Sequence, residues 1–422
     1  MTAALWLRLL AALAVARPAA AARVLLLGGS GRIGSSCAAH LLQRDPSVEL
    51  LLGGRDAARG ARAAASLGAQ FPGARVSFAQ LDWTDEAQLQ ALIGATSPTA
   101  VVHTAGPYNQ AEPVVLRATI QSGVPVYVDL SDPLAYIDAA LAMRDEAAAA
   151  GTTALLCAGA FPGLSNLMAM ECAARMGDDA TIQDLQFSYF TAGLGGSGEV
   201  NLLITNEGFG DPVPTFRDGK LSPQLIGGLD SRRVKFFLEP SEPSASLVGE
   251  REVWAWPFPE AATVARQLSI RGDSSVRMGT APALWNSVLG FFVSVVPRSW
   301  WRSRAFSNGL AQFSRPLVKV TDAFVGETHA MRIDVTNSEG ALVSAVQAHR
   351  SFRGIVGQSC AEFTLALLDD CGAGDAGAAS SSLPAGVFTP EALFESASRR
   401  APLLDRMLAV DGTLNYAFRG PA

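Results

Sequence analysis

From Arg23 onward the chain repeats one pattern. A short apolar run ends in small or polar residues, and an amphipathic stretch follows it. The apolar runs are Arg23–Leu27, Val48–Gly54, Ala74–Leu81, the run opening at Ala100, Val126–Asp129 and Thr153–Ala158. Between them, Ile33, Cys37, Ala38 and Leu41 recur at helical spacing, and Ala57–Leu67, Glu86–Ile93, Glu112–Ser122 and Pro133–Ala150 read as helices. Short continuous apolar runs suit strands buried on both faces, as in a parallel sheet covered by helices. The alternation predicts an α/β fold with a doubly wound parallel sheet over residues 23–160.

The pattern changes at Gly159-Ala160-Phe161-Pro162-Gly163-Leu164-Ser165-Asn166. A Pro-Gly turn is followed by Ser165 or Asn166, each suited to capping a helix that runs to about Met176. Beyond Thr181 the period becomes two. Ile182–Ala192 alternates, Val234–Leu238, Arg251–Trp256 and Ser269–Met278 are further strands, and Asn337-Ser338-Glu339-Gly340 joins a hairpin. Residues 161–353 thus read as a second, α+β domain with an antiparallel sheet. The strongly apolar Trp285–Val296 precedes Pro297-Arg298-Ser299-Trp300-Trp301-Arg302. It is too short to span a bilayer, so a core helix and a turn are the favoured reading, with a membrane-facing or partner-facing helix as the alternative. Residues 354–422 form a third segment: a helix at Gly354–Asp370, a small-residue linker at Gly372–Ser382, and a helix opening at Thr389-Pro390.

The first turn carries chemistry. Gly28-Gly29-Ser30-Gly31-Arg32-Ile33-Gly34 fits G-x-G-x-x-G counted from Gly29, between a strand and a helix. A pyrophosphate must approach the backbone closely, so Cβ atoms are unwelcome there, and the helix N-terminus supplies unpaired N–H groups. Gly29 suits the tight turn, Gly31 the close approach and Gly34 the helix–strand packing. At the end of the second strand, where an NAD site places a carboxylate for the ribose 2′-OH, stands Gly54-Arg55. A guanidinium there suits a 2′-phosphate, so NADP is expected over NAD, with Arg32 as a helper. Asp56 is one place late and can pair with Arg55. Asp82, after the third strand, is placed to reach an adenine amino group. Ala105-Gly106-Pro107, at the end of the fourth strand, belongs in the crevice beneath the nicotinamide ribose.

Candidates for the reacting end are fewer. Tyr108 can donate a proton, Asp129 can orient substrate or cap a helix, and Arg277 can bind a carboxylate. Thr191–Gly198 can hold an anion through backbone N–H groups. His103, inside an apolar strand, reads as a packed core residue.

Composition narrows the classes. With 49% apolar and 17% charged residues among 422, most of the chain packs. Net charge −6 argues against a nucleic-acid partner. Cys37, Cys157, Cys172, Cys360 and Cys371 show no C-x-x-C spacing and the four histidines are dispersed, so neither a metal site nor a disulfide framework is expected. Residues 1–22, with Arg8 and the run Leu9–Ala16, read as a targeting segment, plastid or secretory, outside the fold. Only Lys220, Lys235 and Lys319 are lysines, and none follows a tyrosine by four residues, which excludes the Tyr-x-x-x-Lys chemistry of short-chain dehydrogenases.

Together the glycine loop, Ala105-Gly106-Pro107-Tyr108, Val126-Tyr127-Val128-Asp129-Leu130, Gly159–Asn166 and Pro384-Ala385-Gly386-Val387 resemble the saccharopine dehydrogenase-like family of NAD(P)-binding oxidoreductases. The resemblance spans about residues 23–400. Tyr189-Phe190-Thr191-Ala192-Gly193 and Arg277–Pro282 are most similar to a plant and algal plastid-type branch. It implies hydride transfer to or from a carbonyl or imine of a small molecule between the domains. It also implies a C-terminal segment returning to the cofactor domain. A homodimer stays open, and scarce acid–base groups keep a non-catalytic NADP-binding sensor or scaffold as the alternative.

Overall fold

The computed structural model describes residues 21–421 except 109–111, 178, 194–207, 210–211, 223, 227, 302 and 372–382. The linker Gly372–Ser382 and most of the loop after Gly193 therefore lie outside the described residues.

Leu25, Leu26 and Leu27 are buried on both sides of their strand, which needs helices above and below it. Strands β1 (Arg23–Leu27), β2 (Glu49–Gly54), β3 (Arg75–Gln80), β4 (Ala100–His103), β5 (Val126–Asp129) and β6 (Thr153–Leu155) supply a parallel sheet in the order β3-β2-β1-β4-β5-β6. Leu25 stands opposite Leu51 on one side and Val101 on the other. The connecting helices are α1 (Arg32–Arg44), α2 (Ala57–Gln70), α3 (Glu86–Thr96), α4 (Val114–Gln121), α5 (Leu134–Leu141) and α6 (Arg144–Ala150). The strand order reverses between β1 and β4, leaving a crevice beyond their C-terminal ends. The single helix expected over Pro133–Ala150 is two. It breaks where the Met143 amide turns to the Ala140 carbonyl, three residues back instead of four.

The junction helix α7 spans Leu164–Ala174. Its cap is Gly163 (φ +135°), not Ser165 or Asn166. A Cβ at Gly163 would lie 2.0 Å from the Gly159 carbonyl oxygen, so no side-chain cap fits. Asn166 instead reaches back from the first turn, its Oδ1 accepting the Gly163 N–H at 2.8 Å.

The second sheet is built around β7 (Ile182–Ala192). Its other long strands are β8 (Ser231–Lys235), β9 (Glu250–Ala255), β10 (Ser274–Ala281), β11 (Thr328–Asn337) and β12 (Leu342–His349). Most neighbours are antiparallel, including the expected hairpin of β11 and β12, but β10 runs parallel to β7 along its whole length. The long excursion from Gly193 to Asp273 makes that parallel return possible. Ser269, expected to open β10, instead closes helix α8 (Glu260–Leu268) in a left-handed turn.

Helices α9 (Ala283–Val295) and α10 (Arg304–Val325) follow β10. The expected core helix is only half a core helix. Val293 packs with Phe209 and Trp301, while Phe291 is 64% and Val295 56% exposed.

The last segment serves both sheets. Helix α11 (Phe352–Asp370) lies along α1, and a Cβ at Gly357 would stand 2.6 Å from Ser36 Cβ and 2.8 Å from the Ile33 carbonyl oxygen. Buried Glu362 of α11 binds His40 Nε2 (2.8 Å), Arg44 Nε (3.1 Å) and Arg406 Nε (3.0 Å) of helix α12 (Ala397–Leu408). Strand β13 (Gly386–Phe388) extends the first sheet beside β6, whereas β14 (Thr413–Arg419) pairs with β12 in the second.

Where the two units meet, buried Glu260 of α8 accepts hydrogen bonds from Tyr189 Oη (2.7 Å) and Ser165 Oγ (3.2 Å). Asn166 Nδ2 donates to buried Glu391 at 2.7 Å. Burial raises the Glu260 carboxyl to about 7 and also raises Glu391. A raised folded-state value means the native protein holds a proton that the unfolded chain releases between about 4.5 and 7, so stability falls as pH rises through that window. Glu260→Gln keeps an acceptor for Tyr189 and Ser165 without the ionisation. Denaturant titrations should find the variant more stable than the parent at pH 8, by up to about 2–3 kcal/mol, with the two converging near pH 4.5. A variant less stable at every pH would contradict this account.

Candidate functional site

The first βα turn is built for close backbone approach. Its left-handed residue is Gly28 (φ +81°), one place earlier than expected. The Gly28 N–H donates to the Gly53 carbonyl at 2.8 Å and the Gly31 N–H to the Gly28 carbonyl at 2.7 Å. A Cβ at Gly29 would lie 2.6 Å from Leu52 Cδ2, so Gly29 makes room for packing between β1 and β2. At Gly34 a Cβ would stand 2.2 Å from the Gly28 oxygen and 2.7 Å from Thr104 Oγ1, which is the helix–strand packing role expected of it. Gly31 is the N-cap of α1, so the first-turn amides of that helix open beside the loop.

A cavity of about 690 Å³ runs from this turn to the second sheet. Gly28, Ser30, Gly31, Arg32, Ile33 and Gly34 line one end, with Gly54, Arg55, Asp56 and Arg59 beside them. Asp56 is not paired to Arg55 but caps α2, accepting the Arg59 N–H at 2.9 Å. That cap sets Arg59 one helical turn from Arg55 on the same wall. Arg32, Arg55 and Arg59 thus line the same end of the cavity beside the glycine turn, and guanidiniums suit a phosphate. Arg59 escaped the sequence reading, although its i+4 spacing from Arg55 was visible.

Thr104, Ala105 and Gly106 continue the wall along the crevice. Thr104 Oγ1 donates to the Leu27 carbonyl at 2.8 Å, which pulls the end of β4 against β1. Pro107 is turned away. It lines a separate pocket of about 100 Å³ with Trp83, His103 and Tyr136. Asp82 also lies off the main cavity. Its carboxylate accepts from Thr84 Oγ1 (2.8 Å) and Thr84 N (3.1 Å), and these bonds hold its pKa down; Trp83 takes the wall position instead.

The candidate reacting groups are placed as follows. Tyr108 borders the cavity with its ring, but its hydroxyl donates to the His103 carbonyl and accepts the Leu130 N–H at 3.3 Å. Burial holds that phenol well above its ordinary pKa. Asp129 is fully buried and accepts from Ser131 Oγ (2.6 Å), Ser131 N (3.0 Å), Tyr127 Oη (3.0 Å) and Cys157 N (3.1 Å). It organises the ends of β5 and β6 and does not line the cavity. Arg277 faces the other side of β10 from Met278, which does line it, and is paired to Asp230 and Ser275 Oγ. His103 packs edge-on against Trp83 and Tyr108, and burial lowers it to about 3, so it stays neutral. Thr191 is buried against His329 Nδ1, and the loop beyond Gly193 lies outside the described residues.

The far wall is aromatic. Phe161, Trp254, Trp256, Phe258, Met278, Leu289 and Phe352 line it, with Asn286, Thr280, Asp132 and Arg315 as its polar members. Phe161 is clamped, stacked on Tyr189 (centroids 4.5 Å apart) and on His329 (4.9 Å). The i, i+2 spacing of Trp254 and Trp256 on one strand face was the readable signal for this wall.

Residues 24–155 match the family model described as Saccharopine dehydrogenase NADP binding domain, which covers β1 through β6 and the three arginines. Among solved structures, apo saccharopine dehydrogenase (L-Glu forming) from Saccharomyces cerevisiae aligns over 94% of this chain and 100% of its own, at 14% identity and a TM-score of 0.58. That likeness extends to the whole fold, both sheets included. A short chain oxidoreductase from Pseudomonas aeruginosa PAO1 aligns over 32% of this chain and 69% of its own, at 21% identity and a TM-score of 0.27. No curated protein matches.

The arginine wall makes a quantitative prediction. In calorimetric titrations the double variant Arg55→Glu, Arg59→Glu should lose at least about ten-fold in affinity for NADPH, about 1.4 kcal/mol, with NADH affinity little changed. Equal losses for both nucleotides would show that the arginines do not read the 2′-phosphate.

Proposed function

We propose that the protein is an NADP-dependent oxidoreductase that transfers hydride to or from the carbonyl or imine carbon of a small, largely apolar molecule. The observation that carries this reading is the single cavity joining the glycine turn and three arginines to an aromatic wall. The residues present fit the cofactor. The cradle at Gly28, Gly31 and Gly34 has no room for side chains, and the cationic end suits a phosphate. NADPH, when bound, supplies the hydride.

The chain's own contribution is placement. The α1 N-terminus and the arginines hold phosphates, Thr104–Gly106 set the floor, and Phe161, Trp256 and Phe258 exclude water from the far half. Among the described residues, the one carboxylate brought to the aromatic half is Asp132. Asp129 and Glu260 are buried elsewhere, and His103 and His329 are held neutral. Hydride transfer needs orientation and a dry wall at the reacting carbon more than a strong base, and the proton for oxygen or nitrogen reaches it from solvent on the cofactor side of the cavity. An amino-acid substrate would bring carboxylates to a wall whose described cation is Arg315, which makes an apolar carbonyl or imine the better fit.

The test is NADPH oxidation followed at the nicotinamide absorbance over a panel of alkyl and aryl aldehydes, ketones and imines, set beside amino-acid and keto-acid pairs. Turnover should concentrate in the apolar members. Trp256→Ala should raise KM by roughly ten-fold with a smaller effect on kcat, as loss of a hydrophobic contact does. Tight NADPH binding without turnover across the panel would favour a non-catalytic NADP sensor.

A further inference from the structure

One aromatic ring of the far wall differs from the rest. Phe161, Phe209, Trp256, Phe258 and Phe352 each rest against another ring. Trp254 lines the same cavity and has no ring partner among the described residues. Across the sheet it stands opposite Met278 of β10, which lines the cavity with it. A Cβ on Gly290 of α9 would meet Trp254 Cη2 at 3.3 Å and Cζ3 at 3.4 Å, so the helix abuts the outer edge of the indole. The Gly228 N–H donates to the Ala255 carbonyl at 2.9 Å, which lays this stretch of backbone beside β9, the strand that carries Trp254. A Cβ on Gly228 would come within 2.9 Å of Phe209 Cδ1, so no side chain fits there. Gly228 and Gly290 both line the cavity. The indole is thus bordered by one thioether and two stretches of bare backbone.

Such a place suits a flat apolar group. A planar ring gains offset-stacked or edge-to-face contact with an indole beyond its burial, and a saturated ring of the same carbon count does not. Bare backbone lets a ring approach closely, and the Met278 thioether adapts to its edge. The nearby polar side chain is already committed: Asn286 Oδ1 accepts the Thr280 N–H at 3.2 Å and its Nδ2 donates to the Thr280 carbonyl at 3.0 Å. We infer that Trp254 determines substrate specificity and that the substrate carries an aryl ring stacked on it. The inference rests on the reading of an apolar carbonyl or imine given above and narrows its substrate class: the ring occupies the aromatic half, and the reacting carbon faces the cofactor side.

The test compares 3-phenylpropanal with 3-cyclohexylpropanal, which share one carbonyl and one carbon count and differ in the ring. Binding of the matching alcohols to the full chain, with and without NADP, is read by ligand-observed NMR titration and needs no turnover. The phenyl compound should bind about five-fold or more tightly, and kcat/KM for NADPH oxidation should follow the same order. Hydrophobic burial alone would reverse it, because the saturated ring is the more apolar. Trp254→Leu should abolish the preference and Trp254→Phe should retain it. Gly290→Val crowds the indole edge without removing the ring, and should lower phenyl affinity more than cyclohexyl affinity. A parent protein with no phenyl preference would overturn the inference. So would a preference that survives both Trp254→Leu and Gly290→Val at an unchanged melting temperature. Phenyl-selective binding without NADPH oxidation would leave the aryl site standing and sink the hydride-transfer reading; oxidation of both aldehydes with no phenyl preference would do the reverse.

Discussion

Helix α1 is held in place by two contacts that tolerate no side chain. At Gly34 its backbone passes so close to the Gly28 carbonyl that a Cβ would stand 2.2 Å from the oxygen. On its other side, Gly357 lets α11 approach Ile33 and Cys37 just as closely. Close packing of this kind leaves little freedom in the relative position of the elements. The first contact aims the N-terminus of α1 at the crevice beyond β1 and β4. The second ties α11, which leaves the second sheet after β12, to the same helix. The distance between the glycine turn and the aromatic wall is set through α1.

The buried polar groups support that arrangement at some cost. Glu362 ties α1, α11 and α12 together through His40, Arg44 and Arg406. Glu260 and Glu391 are buried without a cation among their hydrogen-bond partners, so burial raises both carboxyls above their ordinary values, Glu260 to about 7. Tyr189 binds Glu260 and stacks on Phe161, so the same network that joins α7 to α8 also fixes the aromatic wall. A cavity with few strong acid–base groups depends on such rigidity, because orientation is most of what it offers.

Much of the first unit was readable from residue pattern alone. A strand buried on both faces must be continuously apolar, so β1, β2, β4 and β5 announce themselves, and the apolar run Val126–Asp129 coincides with β5. The glycine loop was equally legible, since only glycine fits where backbone meets backbone, although the left-handed turn falls on Gly28 and not on Gly29. The arginines at the glycine-turn end of the cavity were half legible. Arg55 is legible from its place after β2, while Arg59 joins it through α2, which Asp56 caps at the Arg59 N–H.

The rest was decided by tertiary structure. Tyr108, Asp129 and Arg277 are chemically able residues in plausible places, but their partners come from segments distant in sequence or from the opposite face of a strand: Leu130, Cys157 and Asp230. Sequence spacing cannot show which polar group a buried side chain will meet, and that meeting decides whether the group is available for chemistry. The apolar stretch at Trp285–Val296 shows the same limit. Its composition says helix, but only the placement of β10, Phe209 and Trp301 decides which side is covered and leaves Phe291 and Phe292 outside. By itself the sequence determined a parallel sheet, a glycine-built first βα turn and an arginine after β2, because local sterics and periodicity dictate those. The aromatic wall, the residues facing it and the uncovered helix face were settled by packing between units far apart in the chain, which no local pattern encodes.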